Sequence, residues 1–267
     1  MPSRSLPIDS DPARFALPDR ATQSVIGLVL AVVIAGSWLA LHFYAMFVFE
    51  LNLATLPTAL VLAVLQCWLS VGVFIVSHDA IHGSLAPGRA RLNAAVGAVL
   101  LFLYAGFRWG FVSKAHHTHH ALSGHAGDPD FDEHHPTRFW PWYATFFRRY
   151  FGWQSLLFVH VVVGIYWIGF GVPMAQIVLL YGAPAIASSF QLFYFGTYRP
   201  HRHRPGEVFA DPHNARTDNF GTLTSLMTCF HFGYHLEHHH RPDVPWWALP
   251  AARRAGVVVP PSQEVAA

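Results

Sequence analysis

Charge is scarce in this chain. Only 12% of its 267 residues are Asp, Glu, Lys or Arg, about half the usual share. The formal net charge of +2 comes with no basic run, so no nucleic-acid partner is expected. Cysteine is nearly missing: Cys67 lies in an apolar run and Cys229 far from it, which leaves neither a disulfide framework nor a CxxC zinc site. There is no HExxH, and with it goes the zinc-protease pattern. Internal repeats and low-complexity linkers are also lacking.

What fills the chain instead is apolar: hydrophobic residues make up 53%. Four uncharged stretches, roughly 24–49, 56–77, 153–171 and 174–197, are long enough to cross a bilayer, which takes about 20 apolar residues as helix. The short turns at 50–55 and 171–173 predict two helical hairpins. A fifth stretch, Leu92 to Phe107, has 16 residues between Arg91 and Arg108. At 1.5 Å per residue it reaches only about 24 Å, short of the roughly 30 Å hydrocarbon core, and reads as re-entrant or interfacial. With four spans and that fifth stretch not crossing, all 17 Lys and Arg fall on one side, and the opposite turns hold only Glu50. Basic residues mark the cytoplasmic side. The expected fold is therefore all-α and membrane-embedded, in a bacterial inner membrane, with both termini and a histidine-rich cap in the cytoplasm. Residues 1–20 read as a soluble N-terminal tail without the form of a cleavable signal, 21–250 as the membrane domain and 251–267 as a C-terminal tail.

The one polar residue in surplus is histidine, at 19 copies. The run LEHHH at 236–240 has the look of a purification tag, but it is internal and continues into Arg241 and Pro242. Its spacing, His235-x-x-His238-His239, also recurs upstream as His116-x-x-His119-His120, and His78 and His82 stand at i and i+4 directly after the second span. On a helix such spacings put the rings on one face, so each box can offer two or three imidazoles to a shared point. His231 lies one helical turn before His235 and can join it. Eight box histidines, nine with His231, are too many for one ion, since zinc takes three or four protein ligands. They suit two. Imidazole serves zinc, copper, iron and nickel alike. Iron is preferred because a site at a membrane surface, open to a lipid-like substrate, suits O2 activation against C–H bonds, which side chains cannot achieve unaided.

Other histidines read more plainly. His42 and His160 lie within predicted spans, where an axial haem role competes with hydrogen-bonded packing, and packing is favoured. His117, His125, His134, His135, His201, His203, His213 and His240 fall outside the repeated spacing and are expected at the surface or behind the ligands. Asp79 and Glu237 sit inside boxes, where a carboxylate can orient a ligating ring. Trp246 and Trp247 read as an interfacial anchor.

Taken together, SHDAIHGS (77–84), HHTHH followed by GDPDF (116–131), FYFGTYRPHR (193–202) and FHFGYHLEHHHRPDVPWWALP (230–250) resemble the membrane fatty-acid desaturase and hydroxylase superfamily. Within it they look like the bacterial-type β-carotene ketolases. The likeness runs from about residue 20 to 250. It implies a non-haem di-iron oxygenase that turns the C4 methylene of a β-ionone ring into a ketone, using O2 and electrons from a reduced partner such as ferredoxin. By analogy with the superfamily's nine-histidine site, the ligands map onto His78, His82, His116, His119, His120, His231, His235, His238 and His239. Tyr198, Arg199 and Asn219 are candidates for the mouth where the ring meets the metal, and residues 92–107 for a wall of a tunnel. Rival readings are a carotenoid 3-hydroxylase or acyl desaturase of the same chemistry, and a metal transporter. Transporters place their ligands near the bilayer midplane, whereas these boxes stand outside the spans.

Overall fold

The computed structural model describes residues 15–257 except 205, 207 and 210. Among them there are helices and no strands. Three helices are long and apolar enough to cross a membrane: α1 (Arg20–Phe47), α2 (Leu56–His82) and α7 (Met174–His201). Between them lie two bent pairs. Helix α3 (Ala90–Ala105) turns by 101° into α4 (Trp109–Leu122), and α5 (Phe139–Tyr150) turns by 79° into α6 (Trp153–Gly169). Counting each bent pair as one span would give five. The remaining helices are short: α8 (Thr222–Cys229), α9 (His235–His240) and α10 (Leu249–Arg254).

Local chemistry sets the boundaries. Asp19 caps α1 by accepting from the backbone N–H groups of Ala21 and Thr22, donors that the first turn otherwise leaves unpaired. Gly83 ends α2 with a left-handed φ of 72°. Gly106 ends α3 in the same way, at φ 68°, with the Phe158 side chain so close that a Cβ would lie 2.6 Å from it. That contact turns the chain sharply and fixes the short helix against α6. Helix α7 carries two prolines inside it, each preceded by a π turn, at Val178–Gly182 and at Tyr194–Tyr198. Proline lacks an N–H and crowds the carbonyl four residues back, and the wider π turn relieves both problems. The second π turn matters most, because it sets the angle at which the end of α7 reaches the cap.

Polar side chains tie the apolar helices where lipid offers no partner. Trp38 on α1 donates to Ser70 on α2 at 2.9 Å. Gln176 at the start of α7 donates to the carbonyls of Ala45 and Phe49 at 2.7 and 2.8 Å. His42 hydrogen-bonds Tyr166 at 2.7 Å, and the exposed His160 ring bonds to the Leu156 carbonyl on its own helix. Both rings thus have a hydrogen-bond partner within the protein. The largest apolar cluster joins α1, α2 and α3 to the chain around Phe230 and Trp246. Trp246 is buried there, which removes it from the interfacial role expected of it, and its backbone N–H bonds to Asp79; Trp247 packs against the same cluster. Leu249 and Ala252 on α10 are buried, and Arg253 pairs with Glu237 at 2.8 Å. Of the N-terminal tail, residues 1–14 lie outside the described residues, and α1 begins at Arg20.

Candidate metal centre

The end of α2, all of α4, the end of α7 and all of α9 converge on the same cap, and their histidines sort into two groups. One holds His78, His82, His116, His120 and His238; the other holds His119, His201, His235 and His239. Within each group the nearest ring nitrogens all lie within 4.8 Å of one another. Both HxxHH boxes are helical, and each divides. The i, i+4 pair, one turn apart on one face, serves one group, and the i+3 ring, offset around the helix, serves the other. Thus α4 gives His116 and His120 to the first group and His119 to the second, while α9 gives His235 and His239 to the second and His238 to the first. The rings of His120 and His239 stack across the divide with centroids 4.2 Å apart.

Pairs of nitrogens approach closely: His82 to His116 at 2.8 Å, His120 to His238 at 3.0 Å, His201 to His235 at 2.9 Å and His235 to His239 at 3.0 Å. Two ligands about 2.1 Å from one ion, at right angles, would stand about 3 Å apart. Both ring nitrogens of His78, and Nδ1 of His235 and His239, are buried without a hydrogen-bond partner, an expensive state for polar atoms. Burial first, and then the neighbouring rings, push His235, His238 and His239 well below the usual histidine range, so these rings are neutral donors. Converging neutral imidazoles with orphaned nitrogens fit two transition-metal ions. The group of five exceeds the four ligands that zinc takes from protein.

The rings are aimed from behind. Asp128 places both carboxylate oxygens 3.0 Å from His119 Nδ1 and also accepts from the N–H groups of Gly124 and Asp130 at 2.8 Å. Burial works against its charge, yet the His119 ring and these donors prevail and hold the carboxyl below its usual range. His201 Nδ1 bonds to the Asn214 carbonyl at 2.9 Å, which leaves Nε2 to face His235. Asp130 accepts from the Tyr150 hydroxyl, and burial pushes its carboxyl upward.

The structure revises several expectations drawn from spacing. His231 is in neither group. Phe230 and His231 both adopt left-handed backbone, with φ of 47° and 65°, so the helix breaks before α9 and His231 is not one turn behind His235. Its ring stacks instead between Tyr234 and Trp246, 6.0 Å from each. His201, expected outside the ligands, lies in the second group. Asp79 and Glu237 orient no ring: Asp79 accepts from Trp246 and stands 3.9 Å from His78 Nδ1, and Glu237 bonds to Thr217 and Arg253. The orienting carboxylate is Asp128 in GDPDF, a stretch whose aspartates had no assigned role. Tyr198 donates to the Thr137 carbonyl, Arg199 pairs with Asp218, and Asn219 is exposed; none of the three faces the metal groups.

Beneath the histidines lies a cavity of about 240 Å³. His78, His116, His119 and His235, drawn from both groups, line it, and the rest of its wall is mainly aromatic and aliphatic. Tyr104, Ala105 and Phe107 contribute from the segment expected to form a wall. The π turn of α7 adds Gly196 and Thr197, and Asp130 and Tyr150 bring polar groups beside His119.

A helical membrane scaffold with divided histidine boxes over an apolar cavity defines the desaturase class, and the chain belongs to the fatty acid desaturase family, whose pattern matches residues 51–169 and 135–262. Within that family its relatives are β-carotene ketolases. It is 46% identical over 244 residues to the beta-carotene ketolase of Paracoccus sp. strain N81106 / MBIC 01143, and 44% over 241 residues to that of Paracoccus sp. strain PC1. Each alignment covers 90% of this chain and 97% of the relative. The beta-carotene ketolase of Haematococcus lacustris is 35% identical over 287 residues, covering 95% of this chain and 87% of its own.

Proposed function

We propose that the protein is a β-carotene 4-ketolase, which oxidises the C4 methylene of a β-ionone ring to a ketone with O2. The observation that carries this is the cavity: an apolar chamber ending on imidazoles from both histidine groups, so that whatever fills it would lie beside the ions these groups would hold. An apolar ring with its attached polyene suits aromatic walls, and few polar groups compete for it. The residues that would hold iron are His78, His82, His116, His120 and His238 on one side and His119, His201, His235 and His239 on the other. Iron bound there would supply the activation of O2 that side chains cannot. The chain's own part is to seat the ring against Phe74, Tyr104, Phe107 and Phe232, present C4 to the imidazole end, exclude water, and keep His119 and His201 aimed through Asp128 and the Asn214 carbonyl.

The allylic C4–H bond is weak, which favours attack there. A first hydroxylation gives the alcohol, a second at the same carbon gives a geminal diol, and loss of water gives the ketone. Each hydroxylation takes one O2, two electrons and two protons and releases one water. An external donor of reducing equivalents is therefore part of the reading, and reduced ferredoxin is the candidate. The membrane reading is four spans in two hairpins (α1 with α2, and α6 with α7), the bent α3 not crossing, and the cap and both termini in the cytoplasm. The one-sided distribution of Lys and Arg supports it.

Cells that make β-carotene and express the protein should accumulate echinenone and then canthaxanthin, each redder because a carbonyl extends the conjugated chain. Exclusive 3-hydroxylation, with the parent spectrum nearly unchanged, or untouched pigment would refute the assignment.

A further inference from the structure

A third group of metal-ligating side chains stands apart from the two that face the cavity. We propose that Asp211, His213 and His240 form a separate, water-accessible site for a divalent transition-metal ion, on the outer side of the histidine cap. Their ligand atoms lie within 4.8 Å of one another. His240 closes α9, directly after His239, but belongs to neither buried group; its Nε2 is 2.5 Å from Asp211 Oδ2. Asp211 is held for this contact by its own turn. Oδ1 accepts the His213 N–H at 2.8 Å and its carbonyl accepts the Asn214 N–H at 3.0 Å, so Oδ2 is the oxygen left facing the rings. The His213 ring stands 5.0 Å from that of His240, nearly edge-on at 74°, and 5.5 Å from that of His239.

An Asp–His ion pair alone accounts for Asp211 and His240. It does not account for a third imidazole, held beside them by the Asp211 turn and set edge-on to the His240 ring. Two imidazoles and one carboxylate with open positions are a donor set that takes zinc, cobalt or copper. The nine histidines of the cap are mostly buried, whereas His240 is exposed and Asp211 and His213 half-exposed, so an ion reaches this site directly from water. The site does not depend on which reaction the buried groups perform.

The test uses the full chain in lipid nanodiscs, with Zn2+ as the probe. Iron and zinc are counted after equilibration and desalting for the unaltered protein, His240→Leu and Asp211→Asn. The unaltered protein should retain about one more zinc per chain than either variant, as a three-ligand site requires, with iron content equal in all three. Co2+ should likewise give a visible absorption band that both variants lack. Equal zinc in all three proteins, an adventitious ion only, overturns the proposal. So does loss of iron together with the zinc in both variants, because the ion would then belong to the buried pair.

Discussion

Replacing Asp128 by Asn separates the carboxylate's charge from its shape. In the native site one oxygen faces His119 and the Gly124 N–H, and the other faces His119 and the Asp130 N–H. Asparagine has one oxygen and one NH2. Whichever way it turns, a donor meets either the Gly124 or the Asp130 N–H. A buried donor left unsatisfied costs about 1–3 kcal/mol, and a hydrogen bond to a charged group contributes about 1.5–3 kcal/mol. Part of this falls on the turn at 123–130 and part on the aim of His119. At about 1.4 kcal/mol per tenfold, losing the second part weakens retention of the ion beside His119 by about 10–100-fold, the usual scale for a partner behind a metal-bound histidine. The assay is iron content after dialysis against a graded chelator, with ketone yield in β-carotene-producing cells alongside. Iron should leave the variant at lower chelator concentration, the more readily lost half first, while Asp128→Glu restores part of the retention. An Asn variant that holds iron as tightly as the native protein and makes as much ketone would refute this account of Asp128.

Three further outcomes follow from the same geometry. His201→Ala should lose about half of the bound iron and nearly all ketone formation, whereas His231→Ala should keep its iron; the reverse pattern would restore His231 as the ninth ligand. Gly106→Ala puts a side chain on left-handed backbone, at about 1–2 kcal/mol, and into contact with Phe158, so its thermal inactivation midpoint should fall measurably; an unchanged midpoint would show that the α3 turn relaxes freely. With Cys67 and Cys229 replaced, a cysteine at Leu53 in the 50–55 turn should react with an impermeant reagent added outside cells, and one at the exposed Ala126 should react only after permeabilisation. Outside labelling at position 126 would overturn the topology.

Much of the fold was legible because lipid imposes simple rules. Apolar length gives α1, α2 and α7 within a few residues, and shortness together with its flanking arginines marked residues 92–107 as unlike the rest. The sharp turn after Ala105 is where that segment ends. Less legible were the elements whose form depends on distant partners. The pattern of 230–239 looks continuous, but Phe230 packs against Trp68 and Trp246, and the backbone leaves the helix to allow it. Nothing in local spacing announces that. Trp246 was misjudged for the same reason: a tryptophan near a membrane surface looks like an anchor until Phe230 packs edge-on to its ring and buried Asp79 accepts its backbone N–H.

The ninth histidine shows what spacing can and cannot decide. Each HxxHH box divides here, the rings at i and i+4 serving one group and the ring at i+3 the other. The HxxxH box has no third ring to give. The eight box histidines therefore fall into a group of five and a group of three, and the smaller group needs a ligand from outside the boxes. Box spacing suggests His231, since it would extend the helical face of His235. Chain geometry selects His201, because Pro200 and the π turn before it swing the end of α7 into the cap, and the Asn214 carbonyl and Ser123 hydroxyl hold its Nδ1. The same π turn lines the cavity with Gly196 and Thr197. One distortion of α7 thus places both His201 in the second group and part of the cavity wall. A change that straightened it, such as Pro200→Ala, should disturb iron retention and the position of oxidation together rather than either alone.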